Sequence, residues 1–219
     1  MSKYSRLWEY IQKNGSQNFK LTFEEIQTIA GIPIDHSFLK YKKELLEYGY
    51  QVGKISIKEQ IVVFHQISMS IGFGTKQDIE NWMCLVSKVS SSFPGLENEE
   101  ALEEHKRTVL EFMHRQEAVC AKTDKRIIGV LLFSRERNEL CFLAVDPASR
   151  RRHIGEAMIQ FMLPLMNPNK DITVTTYRDG VPEGIAARSF YQKLGFQPGR
   201  LTEEFGSVVQ EFVLKRCAR

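Results

Sequence analysis

The run Leu143-Ala144-Val145-Asp146-Pro147-Ala148-Ser149-Arg150-Arg151-Arg152-His153-Ile154-Gly155-Glu156-Ala157 is an apolar strand, a basic turn and the first turn of a helix in one continuous reading. The apolar residues stop at Val145, and Pro147 marks the exit because its ring removes a backbone donor. Three arginines follow, and then an amphipathic pattern from Ile154 to Met166. The first amides of that helix have no intrahelical partner, and the helix dipole favours negative charge beside them. Gly155 allows a phosphate to approach the backbone closely. A solvated basic turn before an ordinary helix would use the same residue types, so the run alone leaves both readings open.

Elements of matching type surround it. Before it come a strand at Met69–Phe73, a helix at Asp78–Ser90, and a second helix that starts at Asn98. A strand pair then spans Ala118–Lys122 and Ile127–Phe133 around an Asp124-Lys125 turn, and the apolar strand is Leu140–Val145. After it come a strand at Ile172–Tyr177, a helix at Ala186–Leu194 and two closing strands, the last at Val208–Leu214 behind Phe205-Gly206. This order, with several hairpins and few crossovers, predicts one mixed sheet of α/β (α+β) type over residues 68–219.

Residues 1–67 read as a separate small domain. Helices are expected at Tyr4–Lys13, after Thr22, and from a cap at Asp35 or Ser37 up to Gly49. Thr22-x-x-Glu25 has the spacing of a capping box. Two β-rich runs, Gln51–Ile57 and Gln60–Ile67, form a hairpin around Lys58-Glu59. Three helices and a hairpin make a winged-helix-like unit. Lys40, Lys42 and Lys43 on its third helix raise nucleic-acid binding as a reading. Nine Lys/Arg against seven Asp/Glu leave an excess of only 9 − 7 = +2 over these residues, which disfavours it.

Composition narrows the class further. At 42% hydrophobic and 26% charged, the chain is an ordinary globular one, with a net charge of only +3. No apolar run is long enough to span a bilayer, and the start carries no secretory signal, so a cytoplasmic location and no membrane partner are expected. Cys84, Cys120, Cys141 and Cys217 lack the spacing of a metal knuckle or redox pair and read as reduced thiols. His36, His65, His105, His114 and His153 show no metal-site spacing, so no metal is expected.

Two motifs make the reading specific. Val145, Pro147, Arg150 and Gly155 match in register the acetyl-CoA-binding pattern Val-x-Pro…Arg/Gln-x-x-Gly-x-Gly/Ala. Gly184…Ala187…Phe190-Tyr191…Gly195-Phe196 matches a second pattern, Asn-x-x-Ala-x-x-Phe-Tyr-x-x-x-Gly-Phe. In both their order and their spacing, residues 68–219 resemble the GCN5-related N-acetyltransferase (GNAT) family. The departures are His153, where a glycine is usual, and Gly184, where an asparagine is usual.

The resemblance implies a seven-stranded mixed sheet whose central strands splay to admit the pantetheine arm of acetyl-CoA, with CoA as product. It implies that the backbone of Leu143, Ala144 and Val145 pairs with the pantetheine as an added strand. Amides from Arg150, Arg151 and Arg152 through His153, Ile154 and Gly155 would hold the pyrophosphate, and Ala187 would border the cofactor. Arg188 and Lys193 are weaker candidates near the adenine. Tyr191 stands at the family position whose phenol protonates the leaving thiolate. Glu139, six residues before Val145, stands at the offset of the catalytic base in the histone-acetyltransferase branch. The implied reaction is direct attack by a primary amine, small-molecule or peptidyl, in a ternary complex. Glu183, Glu203 and Glu204 are candidates for holding a cationic acceptor. An acyl-CoA-sensing regulator with a nucleic-acid-binding N-terminal module is the alternative, and a homodimer is left open.

Overall fold

The computed structural model describes residues 3–123, 126–204 and 206–216. The chain divides into two units, Met1–Met69 with Ala148–Arg152, and Ser70–Pro147 with His153–Arg219.

The first unit begins with α1 (Ser5–Asn14), which buries Leu7, Trp8 and Ile11 at helical spacing and stops at Gly15 in the left-handed region, φ 71°. β1 (Asn18–Thr22) follows, then α2 (Phe23–Ala30). Thr22 closes the expected capping box: the Glu25 amide donates to Thr22 Oγ1 at 3.1 Å, and the Thr22 amide donates to Glu25 Oε2 at 2.7 Å. α3 (Ser37–Tyr41) passes into a 3-10 turn over Lys42–Tyr48, and β2 (Tyr50–Ser56) and β3 (Ile61–Gln66) close the unit. The sheet order is β1-β3-β2, an arrangement of winged-helix type.

Two details differ from the sequence reading. β1 was not expected. It exists because Asn18–Thr22 pairs antiparallel with His65–Ile61, a ladder that closes only when distant chain segments meet. The third helix is α-helical for five residues and then tightens into a 3-10 turn. Glu44 and Glu47 share that stretch with Lys40, Lys42 and Lys43, so its charge is nearly balanced.

The second unit opens with β4 (Ser70–Phe73), α4 (Ile79–Val89) and α5 (Glu99–His114). Asn98 caps α5 through its side chain, which accepts from the Ala101 amide at 2.8 Å. Next come β5 (Ala118–Thr123), β6 (Arg126–Ser134), β7 (Glu139–Val145), α6 (Ile154–Met162), β8 (Ile172–Tyr177), α7 (Ile185–Lys193), β9 (Gln197–Glu204) and β10 (Ser207–Leu214). The expected Asp124-Lys125 turn, Phe205 and Cys217 lie outside the described residues. α6 ends at Met162 rather than Met166, and Leu163–Leu165 forms a 3-10 turn around Pro164, which cannot donate to continue the helix.

The seven strands run in the order β4-β5-β6-β7-β8-β10-β9. β7 and β8 are the parallel pair. One face of the sheet packs on Met158, Ile159 and Met162 of α6 and Tyr191 of α7. The other packs on Trp82, Leu85 and Val86 of α4 and Val109 and Phe112 of α5. β6 sits between them with Ile127 to Ser134 all buried. Gly129 on this strand lets α6 come close, since a Cβ there would lie 2.8 Å from Ile154 Cγ2. The N-terminus of α6 is thereby fixed against the sheet, next to the end of β7.

Candidate active site

The central parallel pair is joined over a short length. β7 pairs with β8 only at Glu139↔Thr173 and Leu140↔Val174, although β7 continues to Val145 and β8 to Tyr177. From Cys141 to Val145 the edge of β7 facing β8 has no strand partner among the described residues, and its opposite edge is paired with β6. Unpaired backbone groups of this kind are a template for an added strand. Leu143, Ala144 and Val145 all lie on this edge.

The vertex of the opening is held by Asn138, which is 1% exposed. Its side-chain oxygen accepts from the Asn167 amide at 2.8 Å, and its amide nitrogen donates to the carbonyls of Lys170 at 2.9 Å and Asp171 at 3.1 Å. Its own carbonyl accepts from the Thr173 amide at 3.2 Å. One side chain thus ties the start of β7 to the loop that feeds β8.

The basic turn runs from the far end of β7 to α6. The carboxylate of Asp146, 4% exposed, pairs with Lys88 at 3.2 Å and Arg126 at 3.7 Å and anchors the turn's beginning. Arg151 and His153 adopt left-handed conformations, φ 61° and 55°. Such residues shape backbone concavities that bind anions. The left-handed His153 explains why glycine is usual there: glycine enters this region without a Cβ penalty, whereas histidine is one of the few other residues found in it. No side-chain cap hydrogen bond is made at the start of α6, where the amides of a first turn lack intrahelical partners. The His153 imidazole turns to Glu156, with Nδ1 2.9 Å from Oε2. Arg150 and Arg151 are exposed and Arg152 is half-buried. Gly155 is buried, and a Cβ there would meet Phe190 Cζ at 3.0 Å.

Glu139 lies at the vertex on the first residue of β7, with its side chain 22% exposed. Burial raises its carboxyl above the ordinary range, Arg137 opposes that shift, and Glu204 and Glu211 reinforce it. Glu204 in turn accepts from Thr175 Oγ1 at 3.0 Å. Of the adjacent pair, only Glu204 is turned to this side; Glu203 is exposed, as strand alternation requires. Glu183 lies apart from this group, in the short turn before α7, near Tyr177.

Tyr191 is 6% exposed, with its ring among Phe190, Phe196 and Phe212 at centroid distances of 5.5, 5.6 and 6.2 Å. Burial raises its phenol well above the usual value, so the hydroxyl stays protonated. Ala187 lies one helical turn earlier, packed on the same core. Gly184 has a steric reason for replacing asparagine, since a Cβ there would lie 2.5 Å from the Cβ of Tyr177. Arg188 is engaged within the protein. It donates to the Tyr177 carbonyl and to Gln210, and covers the Phe212 ring at 5.1 Å. Lys193 is exposed.

The grouping around Glu139 was only partly visible in the sequence. Glu211 was missed because it comes to Glu139 only through the sheet, and the pairing of Arg137 with its near neighbour Glu139 was not read. The signal available was the Arg-x-Glu spacing at 137 and 139.

Residues 114–198 match a family model described as an acetyltransferase (GNAT) domain. No curated protein matches the sequence. Among solved structures, the chain is similar to a GNAT-family acetyltransferase from Bacillus cereus (TM-score 0.53, 16% identity, covering 69% of this chain and 99% of that one). It is similar to the PaiA N-acetyltransferase from Thermoplasma acidophilum in complex with coenzyme A (0.51, 19%, 66% and 98%). It also resembles YncA from Salmonella typhimurium with its cofactor acetyl-CoA (0.53, 13%, 69% and 95%). At these identities the structural likeness establishes the fold.

Proposed function

We propose that this chain, which carries a GNAT acetyltransferase domain, is an N-acetyltransferase that moves the acetyl group of acetyl-CoA to a primary amine by direct attack. The observation that carries the proposal is the opening between β7 and β8, with a candidate base at its vertex and an uncapped helix start at its mouth. The two ends lie along one strand, from Glu139 to Val145 and on to the turn.

The residues fit acetyl-CoA on the structure's own terms. The free edge of β7 at Leu143 to Val145 offers backbone donors and acceptors to the pantetheine amides. The uncapped amides of Ile154, Gly155 and Glu156, with the left-handed turn before them, suit the pyrophosphate. Arg150, Arg151 and Arg152 add positive charge beside it. Ala187 borders the path from α7.

In the reaction the amine nitrogen bonds to the thioester carbon and the carbon–sulfur bond breaks, giving an N-acetyl amine and CoA. Glu139 takes the proton that the nitrogen loses, and its raised carboxyl is poised nearer neutral pH than an exposed glutamate. Tyr191 supplies a proton to the departing thiolate. The backbone amide near Val145 is the group available to the tetrahedral oxyanion. A cationic acceptor is favoured, because Glu139, Glu204 and Glu211 gather on one side of the opening.

The test is thiol release from acetyl-CoA against a panel of diamines, aminoglycosides, amino acids and peptides with free N-termini. Release that depends on the amine, with the acetylated product identified by mass, is expected. No amine-dependent release from a chain that binds CoA would refute the enzymatic reading and leave the acyl-CoA sensor.

A further inference from the structure

We propose that Arg137 is a positioning residue for the transfer step: its guanidinium bridges the Glu139 carboxylate and the Cys141 thiol, and so presents the second oxygen of Glu139 to the amine. The inference rests on the reading of Glu139 as the base.

The bridge is built on an irregular strand. Leu132 faces Phe142 across the β6–β7 ladder and Phe133 faces Leu140, so Cys141 is the extra residue of a bulge. The bulge re-aims the strand, and both Cys141 and Phe142 pack against the core formed with α4 and α5. Arg137 stands in the hairpin turn just before β7, its amide donating to Ser134 Oγ at 3.2 Å. From there its Nε lies 2.7 Å from Glu139 Oε2, and its Nη2 donates to Cys141 Sγ at 3.3 Å. A planar fork with several donors can hold two acceptors at once, which a lysine ammonium on a flexible stem does less well. The contact engages Oε2. Oε1, the oxygen outside that contact, is the one assigned to the amine's proton.

The charges facing Glu139 explain why a cation is needed. Arg137 comes from the hairpin turn, Glu204 from the end of β9 and Glu211 from β10. Glu211 is itself 3.6 Å from Arg200, and Thr175 on β8 donates to Glu204. Burial and two carboxylates favour the neutral acid, and a neutral acid cannot take the amine's proton. Arg137 is the opposing cation. The Cys141 thiol, pushed up to about 11 by burial, remains protonated beside it and adds no charge. The Arg137 side chain is 61% exposed, so removing its guanidinium leaves no cavity in the core.

The test uses the full chain and two readouts. Carboxyl NMR of 13C-labelled glutamate follows the titration of Glu139, assigned by its absence in Glu139→Gln. The pH profile of kcat/KM is measured with acetyl-CoA and the amine that the thiol-release panel identifies. Arg137→Gln is expected to move both the midpoint and the acid limb upward by about one pH unit, with activity below the midpoint falling about tenfold. Arg137→Lys should restore much of the midpoint but less of the rate, since it replaces charge without the fork. A midpoint and limb unchanged in Arg137→Gln would overturn the inference while Glu139→Gln still abolished the limb. If Glu139→Gln keeps the wild-type rate and limb, it is the reading of Glu139 as base that fails, whatever Arg137 does to the titration.

Discussion

Tyr191 and His105 are both aromatic, titratable and shielded from water, yet burial acts on them in opposite directions. It raises the Tyr191 phenol, which therefore stays protonated. Tyr191→Phe keeps the ring and its contacts with Phe190, Phe196 and Phe212. Turnover should therefore fall by about 10²-fold in steady-state assays, while CoA affinity and Tm stay within error. Equal turnover would assign the proton to water. For His105, burial lowers the imidazole to about 4, and its Nε2 has no partner among the described residues. The unfolded chain then binds a proton below about pH 6.5 that the folded chain refuses until about pH 4. Folding stability is therefore full above that window and declines through it as pH falls, by about 3 kcal/mol. Urea unfolding at several pH values should show the decline in the wild type and a flatter profile in His105→Gln. Tyr191 could be singled out in the sequence because a motif surrounds it. His105 could not, because its surroundings are Phe142, 5.0 Å away on another element.

At the level of elements, the site depends on how far β7 and β8 stay together. Asn138 sets that point with one buried amide. Asn138→Ala would leave the Asn167 amide and the Lys170 and Asp171 carbonyls without their partner. A loss of about 2–3 kcal/mol in denaturant unfolding is expected from such unsatisfied buried groups. The KM for acetyl-CoA should rise with it, because the edge of β7 is no longer held apart at a defined angle. α7 makes a second prediction. Gly184→Asn restores the residue usual in the family, yet its Cβ would collide with Tyr177. The variant should be destabilised by about 1–3 kcal/mol and should gain no activity. A stable, faster Gly184→Asn would show that the helix start shifts freely. The helix caps were legible because their chemistry is local: Thr22 with Glu25, and Asn98. β1 and the bulge at Cys141 were not, because each is defined by the strand opposite.

For the whole molecule, ligand binding is the simplest global readout. Acetyl-CoA and desulfo-CoA should both raise the Tm, since a ligand bound only by the folded state stabilises it by about 2.7 kcal/mol at a hundred times its Kd. Gly155→Glu should abolish the shift by putting bulk and negative charge at the turn. No shift with millimolar CoA would remove that turn from the site. The sequence by itself determined the mixed sheet, the basic strand–turn–helix and the second motif on α7, because apolar period, caps and glycine spacing are carried by neighbouring residues. It also carried Glu139 as a candidate, through its resemblance in position to the catalytic base of the histone-acetyltransferase branch. Only the tertiary structure decided that β7 and β8 part after two residue pairs, that Arg188 is bound within the protein, and that Glu204 and Glu211 come to Glu139. The physical reason is range: a hydrogen-bond ladder and a Coulomb field act through space between residues that chain order keeps far apart.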